Sequence, residues 1–241
     1  MRPDDDYLVA HALHLRFADI SVLHGVSLRL KPGEVVAVVG RSGTGKSVFL
    51  KVISGLLTPD SGWVRANGHN IQGAPHPDGE IALVFQQGAL LDELKVWENI
   101  GLRQLESGNH KASEILMQVT KMGMAVGLAE RDLQLYPHVL SGGMRKKVSI
   151  ARALFQQPKV ILYDEPTAGL DPAAAGMIDR LILSMNHTFG HGAIIVTHDL
   201  NTLERLQPRI LLLHAGAFVF EGDYNTFMNT DDAEVRAFLG R

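Results

Sequence analysis

Apolar residues occur in short runs along the chain, and their spacing changes from one region to the next. Apolar and polar positions alternate over His11–Phe17 and again over Val26–Leu30, which predicts an antiparallel pair of strands at the edge of a sheet. Val35–Val39 is instead continuously apolar and mostly β-branched, as expected of a strand covered on both faces. Ser47–Ile53 follows with apolar residues on almost every side, so it is predicted to form a buried helix.

The middle of the chain has the period of helices. Ile115, Val119 and Met122 recur at the spacing of one helical face, and strand signals are few between residues 88 and 140. Short apolar runs separated by helical segments then predict a mostly parallel sheet: Val160–Tyr163, Ala193–Val196 and Ile210–Leu213. We therefore expect a single α/β domain. Its core and β subdomain span about residues 1–87 and 146–241, and a helical subdomain spans about residues 88–145.

The composition fits one folded unit that is neither disordered nor strongly basic. Of 241 residues, 46% are hydrophobic and 20% are charged. The balance of 23 Lys and Arg against 26 Asp and Glu gives a net charge of −3, which disfavours a nucleic-acid partner. Cysteine is absent, which excludes a disulfide framework, a thiolate metal site and a cysteine nucleophile. Its absence also favours a reducing compartment, with the cytoplasm as the default.

Two features of the chain bear on membranes. The first seven residues contain three consecutive aspartates and no apolar run, so a secretory signal is not expected. The longest apolar stretches are far too short to span a bilayer. Direct membrane insertion is therefore not expected, and a membrane role has to come through partners.

A glycine-rich loop joins the predicted buried strand to the predicted buried helix. It satisfies the pattern G-x-x-x-x-G-K-[ST] with Gly40, Arg41, Ser42, Gly43, Thr44, Gly45, Lys46 and Ser47. Glycines let successive backbone N–H groups point at the β- and γ-phosphates of a nucleotide, and the helix that starts near Lys46 adds its N-terminal dipole. Lys46 is predicted to neutralise the β/γ oxygens, and the Ser47 hydroxyl to bind Mg²⁺. A glycine turn with an incidental lysine is the alternative, which the flanking strand and helix disfavour.

Two adjacent carboxylates, Asp164 and Glu165, end a second buried strand. Parallel strands bring their carboxyl ends to the edge of the sheet where the glycine-rich loop lies. Asp164 is predicted to anchor Mg²⁺, and Glu165 to polarise an attacking water. The alternative is an acidic pair at the start of a helix, and Pro166 after a strand disfavours it.

A third motif indicates a family. Leu140-Ser141-Gly142-Gly143-Met144 resembles the LSGGQ signature of ABC ATPases and stands between the glycine-rich loop and Asp164. The resemblance covers essentially the whole chain. It implies an ATPase with ATP and Mg²⁺ as cofactors. It also implies a P-loop NTPase core of ABC type, RecA-like, with an antiparallel β edge subdomain and an inserted helical subdomain.

Four further residues match positions of the ABC family in order. Gln86 resembles the Q-loop glutamine, which touches Mg²⁺ or the lytic water, and His198 resembles the switch histidine, which holds the γ-phosphate and orients Glu165 and water. Asp171 resembles the D-loop aspartate that faces the other subunit, although by itself it indicates a helix cap. Phe17 is the candidate for stacking on adenine, with a core strand phenylalanine as the alternative.

The signature implies a dimer. Ser141 is predicted to cap a helix over Arg145–Leu154, with Gly142 and Gly143 between them, so that bare N–H groups and a positive dipole end face an anion. In the family this second anion site caps the γ-phosphate held by the opposite subunit. The resemblance thus implies a head-to-tail homodimer with two ATP molecules sandwiched between phosphate loops and signatures.

The signature helix also indicates a subfamily. Met144 replaces the usual signature glutamine, which puts a polar side-chain contact there in doubt. Leu140–Leu154 resembles the signature helix of the MlaF-type ATPases of Mla phospholipid transport, and Gly88–Leu91 and Val235–Gly240 resemble the same subfamily. This resemblance implies phospholipid transport between the inner and outer membranes. The implied partners are a permease, an MCE-domain protein and a STAS-domain regulator.

Two rivals to this assignment stay open. One is the ATPase of an importer for amino acids or other small solutes. The other is a soluble ABC protein that remodels DNA or ribosomes, which the absence of long coiled coils and of a second ATPase unit disfavours. As a transporter subunit, the chain is expected at the cytoplasmic face of the inner membrane, held by its permease. The permease contact is predicted after Gln86, where Leu90 and Leu91 either face the partner or belong to the core.

Overall fold

The structure, a computed structural model, describes residues 6–71 and 80–241. Its strands are β1 (Leu8–Phe17), β2 (Ile20–Leu30), β3 (Val35–Val39), β4 (Ser61–Ala66), β5 (His69–Asn70), β6 (Ile81–Val84), β7 (Val160–Asp164), β8 (Gly192–Val196), β9 (Arg209–His214) and β10 (Ala217–Gly222). Its α-helices are α1 (Lys46–Ile53), α2 (Val96–Ser107), α3 (Ala112–Ala125), α4 (Gly142–Phe155), α5 (Pro172–Phe189), α6 (Leu200–Leu206), α7 (Tyr224–Asn229) and α8 (Ala233–Leu239). Two short 3₁₀ helices, Glu130–Gln134 and Pro137–Val139, lie between α3 and α4.

The core is a sheet with the strand order β10-β9-β3-β8-β7-β6. Its neighbouring strands pair in parallel, except for the antiparallel pair of β10 and β9. Both faces are covered, because Val36 and Val38 pack into one apolar cluster while Ala37 and Val39 pack into another. This burial on both sides explains why the run was continuously apolar. The mostly parallel sheet predicted from the sequence is confirmed.

A second sheet, antiparallel, has the order β2-β1-β4-β5. The predicted pair of strands at this edge is present, but both strands are longer than predicted, since β1 begins at Leu8 and β2 at Ile20. For β1 the reason is an irregularity in its pairing after Ala10, where Ala12 has a positive φ of 46°. Such a bulge breaks the apolar–polar alternation that marks a strand in the sequence.

The helices α2, α3 and α4 lie between β6 and β7 along the chain. Ile115 and Val119 are buried and Met122 packs against the same apolar cluster, as their spacing predicted. The helix predicted over Arg145–Leu154 begins earlier, at Gly142, so the prediction of its start was wrong. The side chain of Ser141 accepts a hydrogen bond from Met144 N at 3.2 Å, and this cap starts the helix directly after Ser141. The limits of the helical subdomain stay a prediction.

Among residues 6–71 and 80–241, no helix combines the length and the apolar character needed to cross a bilayer.

His191 is a buried histidine just before β8. It is 2% exposed, and neither ring nitrogen has a hydrogen-bond partner among the described residues. Burial lowers the pKa of His191 from the ordinary 6.5 to about 4, because a charged imidazolium would lose its hydration. His191 is therefore neutral in the folded protein at pH 7.

We expect stability to fall on acidification because of His191. Between pH 6.5 and pH 4 the unfolded chain binds a proton at this residue that the folded chain does not. The free energy of unfolding should fall by about 3 kcal/mol in total as the pH drops from 6.5 towards 4. Urea unfolding at pH 7 and pH 4.5 measures it, and His191→Leu should remove most of this difference. His187→Leu, at an exposed position of α5, is the control. An unchanged pH dependence in His191→Leu would contradict the prediction.

Candidate active site

The glycine-rich loop, residues 40–47, follows β3 directly and includes the first two residues of α1. Gly45 is the N-cap of α1 with a φ of 98°, and a Cβ there would lie 2.9 Å from Val22 Cγ1. A Cβ at Gly40 would lie 2.5 Å from the carbonyl oxygen of Leu213. Larger side chains therefore do not fit at these two positions, and glycine lets the loop curl tightly around the start of the helix.

Lys46 is folded back over this loop. Its Nζ donates hydrogen bonds to the carbonyl oxygens of Gly40 at 2.8 Å and Arg41 at 2.9 Å. Burial lowers the pKa of Lys46 below that of an ordinary lysine, and the negative charges of Glu165 and Asp164 partly offset this effect. The loop thus holds a cation beside a helix N-terminus, an arrangement that suits a phosphate group.

The other side chains of the loop have local or C-terminal partners. Thr44 Oγ1 donates to Arg41 O at 2.9 Å, and Ser42 is exposed. The guanidinium of Arg41 donates to the carbonyl oxygen of Ala237 in α8 at 2.8 Å. The C-terminal helix is therefore attached to the glycine-rich loop.

Ser47 and Asp164 lie together at the carboxyl edge of the core sheet. Ser47 Oγ donates to Asp164 Oδ1 at 3.1 Å, and Ser47 is exposed. No group of three or more His, Cys, Asp or Glu side chains in the described part of the chain is arranged to hold a metal ion. One hydroxyl and one carboxylate fit Mg²⁺, which uses few protein ligands when phosphate and water oxygens complete its shell.

Glu165 turns away from Asp164 towards a histidine. Its backbone has a φ of 48°, and its N–H donates to Val196 O at 2.9 Å. Its Oε1 lies 2.8 Å from Nδ1 of His198. The His198 side chain is 64% exposed and the Glu165 side chain 14% exposed. The two adjacent acids therefore meet different partners, one beside the loop serine and the other beside an imidazole.

Gln86 and Phe17 lie at the ends of strands. Gln86 is exposed two residues after β6, and its backbone oxygen accepts a hydrogen bond from Lys146. Phe17 is the last residue of β1 and is 46% exposed, so the alternative of a core strand phenylalanine is wrong. Its ring is available to stack on a planar ligand.

The signature residues form the N-terminus of α4. Ser141 is the N-cap, Gly142 and Gly143 belong to the first turn, and this turn contains no acidic residue. Met144 packs against the apolar cluster of the helical region instead of making a polar side-chain contact. The helix start presents backbone N–H groups without a carboxylate to compete for them.

Asp171 is the N-cap of α5. Its Oδ1 accepts hydrogen bonds from Ala173 N at 3.0 Å and Ala174 N at 2.9 Å. The cap that its position indicated in the sequence is therefore present. Its second carboxylate oxygen has no part in these two bonds.

One residue of this site, Lys146, was not identified from the sequence. Lys146 lies on the buried side of α4, is 6% exposed, and donates to the carbonyl oxygens of Gln86 and Glu165, the latter at 3.3 Å. The sequence did contain a sign that Lys146 is buried, because it stands four residues before Ile150 and so on the apolar face of the helix. Its partners are backbone atoms, which a sequence pattern does not reveal.

The model of the family described as "ABC transporter" matches residues 23–168, more than half of the chain. The chain belongs to the ABC transporter family. As a member it is an ATP-binding protein and an ATPase, and its P-loop NTPase core with one antiparallel sheet is the fold of that family.

Two relatives of this ABC ATPase match it over most of its length. The Arabidopsis thaliana protein TRIGALACTOSYLDIACYLGLYCEROL 3, chloroplastic, is 37% identical over 256 residues, covering 98% of this chain and 74% of that protein. The histidine/lysine/arginine/ornithine transport ATP-binding protein HisP of Salmonella typhimurium is 34% identical over 246 residues, covering 94% of each.

A solved ABC cassette is similar in structure. It is the dimeric, post-hydrolysis form of the ATP-binding cassette MJ0796 bound to ADP and Pi. This structure superimposes with a TM-score of 0.79 at 30% identity, covering 90% of this chain and 98% of that one.

Proposed function

We propose that this ABC ATPase uses Glu165 as the general base that activates water for attack on the γ-phosphate of ATP. The observation that carries this proposal is the placement of two pairs at one edge of the sheet. Glu165 and His198 meet at 2.8 Å, and Ser47 and Asp164 meet at 3.1 Å. A carboxylate held by a histidine beside a phosphate loop is positioned to accept a proton from water.

The other side chains hold the nucleotide. Lys46 and the backbone N–H groups of residues 40–47 bind the β- and γ-phosphates. Ser47 would hold Mg²⁺ together with Asp164 and Gln86, and the ion, when bound, neutralises charge on the β- and γ-oxygens. His198 orients Glu165, and the exposed ring of Phe17 stacks on adenine.

The active form is a head-to-tail dimer. Ser141, Gly142 and Gly143 start a helix with no acidic residue in its first turn, which suits the γ-phosphate held by a second copy. Asp171 faces that copy. The similar cassette MJ0796 is itself dimeric, which supports this arrangement.

The cargo we propose is a phospholipid moved between the inner and outer membranes. The 37% identical Arabidopsis relative carries the name of a galactosyl diacylglycerol, which supports a lipid cargo but does not distinguish a phospholipid from a glycolipid. The choice of a phospholipid rests on the resemblance of α4 to the MlaF-type signature helix. The partners are then a permease, an MCE-domain protein and a STAS-domain regulator. The subunit lies peripherally at the cytoplasmic face of the inner membrane, held by the permease.

Amino-acid import is the second candidate. HisP, which is named for histidine, lysine, arginine and ornithine transport, matches 94% of this chain at 34% identity. In that case the site has the same chemistry and only the membrane partner differs.

Reconstitution with the native partners distinguishes the two cargoes. Affinity capture of the full chain from its own membranes, followed by mass spectrometry, identifies the permease and any MCE-domain protein. The captured complex is then placed in vesicles with a fluorescent phospholipid, and ATP-dependent transfer to acceptor vesicles is measured, with a Glu165→Gln complex as the control. Uptake of labelled histidine or lysine without phospholipid transfer would favour the second candidate.

The permease contact is tested at Leu91. Leu91 is 43% exposed, whereas Leu90 is half-buried against the apolar cluster of the helical region. We expect Leu91→Glu to leave ATP binding intact but to reduce permease-stimulated hydrolysis by about 10-fold or more, as for an interface anchor. Leu90→Glu should instead destabilise the fold, because it buries a charge.

The control for this contact is Leu56→Glu, an equally exposed leucine after α1. Permease co-purification and stimulated phosphate release are measured for each folded variant. Normal coupling in Leu91→Glu would place the permease contact elsewhere.

A further inference from the structure

Side chains of α4 hold the backbone that follows β6, here called the Gln86–Ala89 segment. Lys146 donates to Gln86 O. Ser149 Oγ donates to Gly88 O at 3.1 Å, and the guanidinium of Arg152 donates to Gly88 O at 2.8 Å and Ala89 O at 2.7 Å. Because the three side chains follow one another at three-residue intervals, they lie along one side of the helix.

Lys146 differs from the other two because it also reaches Glu165, the residue that directly follows β7. Its Nζ lies 3.3 Å from the carbonyl oxygen of Glu165. Burial lowers the pKa of Lys146, and the negative charges of Glu165 and Asp164 partly offset this effect. Enclosing an ammonium in this way costs free energy unless hydrogen bonds compensate it, and here the two carbonyl oxygens supply them.

The two carbonyls that Lys146 joins lie just beyond the sheet. The parallel pairing of β6 with β7 ends at Val84 and Tyr163. Gln86 and Glu165 both follow that last pair, and Glu165 has the left-handed φ of 48° that directs its side chain to His198. Lys146 therefore links the two strands where their ladder has stopped.

We propose that Lys146 is a positioning residue for ATP hydrolysis, which fixes the Glu165 backbone against Gln86 and ties both to the signature helix. Ser141 caps the same helix, so a ligand bound at its N-terminus lies little more than one helical turn from Lys146, whose side chain reaches the Glu165 backbone. The inference rests on the proposed role of Glu165 as the base. Lys146 acts through Glu165 and does not touch the nucleotide.

The test compares two lysines of α4 in the full-length chain. Lys146→Met removes the charge and both hydrogen bonds while keeping the length of the side chain. Lys147→Met is the matched control, since Lys147 donates at 2.9 Å to Gly127 O, just after α3, and not to the Gln86 or Glu165 backbone. Steady-state phosphate release gives kcat, and a fluorescent ATP analogue gives the Kd.

We expect Lys146→Met to lower kcat by about 10- to 100-fold, the effect of a small misplacement of a catalytic group, with the Kd unchanged within about twofold. Lys146→Arg should restore most of the loss, because a guanidinium still donates to two carbonyls. Lys147→Met should keep the wild-type kcat. If Lys146→Met does not fold, Lys146→Gln takes its place, and the same loss of kcat with an unchanged Kd is expected of it.

The double variant with Glu165→Gln separates positioning from general damage. If Lys146 acts through Glu165, single-turnover hydrolysis by Lys146→Met/Glu165→Gln equals that of Glu165→Gln alone, since the effects of such a unit are not additive. The proposal is overturned by a wild-type kcat in folded Lys146→Met, by a parallel loss of kcat and ATP affinity, or by a further loss in the double variant. Normal turnover in Glu165→Gln alone would instead refute the proposed base.

Discussion

Replacing Glu165 with glutamine is expected to lower ATP turnover by about 10²- to 10⁴-fold, the usual contribution of a general base. The amide has nearly the same size as the carboxylate and can still hydrogen-bond to His198, but it cannot accept a proton from water. Nucleotide binding should persist because Lys46 and the phosphate loop are untouched. Phosphate release and equilibrium ATP binding, measured on the same protein, check both expectations.

The same variant should remain a dimer in the presence of Mg-ATP. Without hydrolysis the nucleotide stays between the phosphate loop and the opposite signature, so gel filtration should show a stable dimer with Mg-ATP and a monomer with ADP. Glu204→Gln, at an exposed position of α6, is the control for loss of a surface charge. Hydrolysis at the wild-type rate in Glu165→Gln would remove Glu165 from this role.

Lys46→Ala and Ser141→Arg are expected to fail in different ways. Lys46→Ala removes a cation from the phosphate loop and should weaken ATP binding by about 10- to 100-fold, the value of a charged hydrogen bond. Ser141→Arg should leave ATP binding by the monomer intact and block the dimer, because its side chain fills the anion site of the signature. Calorimetric ATP binding and ATPase rates are measured for each variant.

Two controls make the comparison specific. Lys51→Ala removes an exposed lysine from the same helix as Lys46. Ser141→Ala removes the cap hydrogen bond of α4, worth about 1 kcal/mol, without filling the site. An equal loss of ATP binding in Lys46→Ala and Ser141→Arg would argue against the trans-capping dimer.

Much of the fold could be predicted because its strands are buried on both faces. A continuous run such as Val35–Val39 is unmistakable in the sequence, and it matches β3 residue for residue. The start of β1 was missed because the bulge at Ala12 interrupts the alternation. The start of α4 was missed because Gly142 and Gly143 disfavour helix by propensity, while the Ser141 cap overrides that preference.

In the candidate site, too, only the residues that belong to local sequence motifs could be predicted. Residues in contiguous motifs, such as Lys46, Ser47 and Asp164, could be placed because strand ends and helix starts bring them together. Lys146 could not be assigned a partner, since its acceptors are main-chain carbonyls 60 and 19 residues away. The contact of Arg41 with Ala237 spans 196 residues and has no counterpart in any local pattern.

The attachment of the Gln86–Ala89 segment to α4 has a consequence for how the ABC ATPase can diversify. Lys146, Ser149 and Arg152 all donate to main-chain oxygens, which every amino acid carries. Apart from Gly88, where a Cβ would lie 2.6 Å from Ser149 Oγ, the attachment does not depend on which side chains the segment presents. If the segment is the permease contact proposed above, mutation can therefore change its outward side chains to suit a different membrane partner while its attachment to the helix stays unchanged.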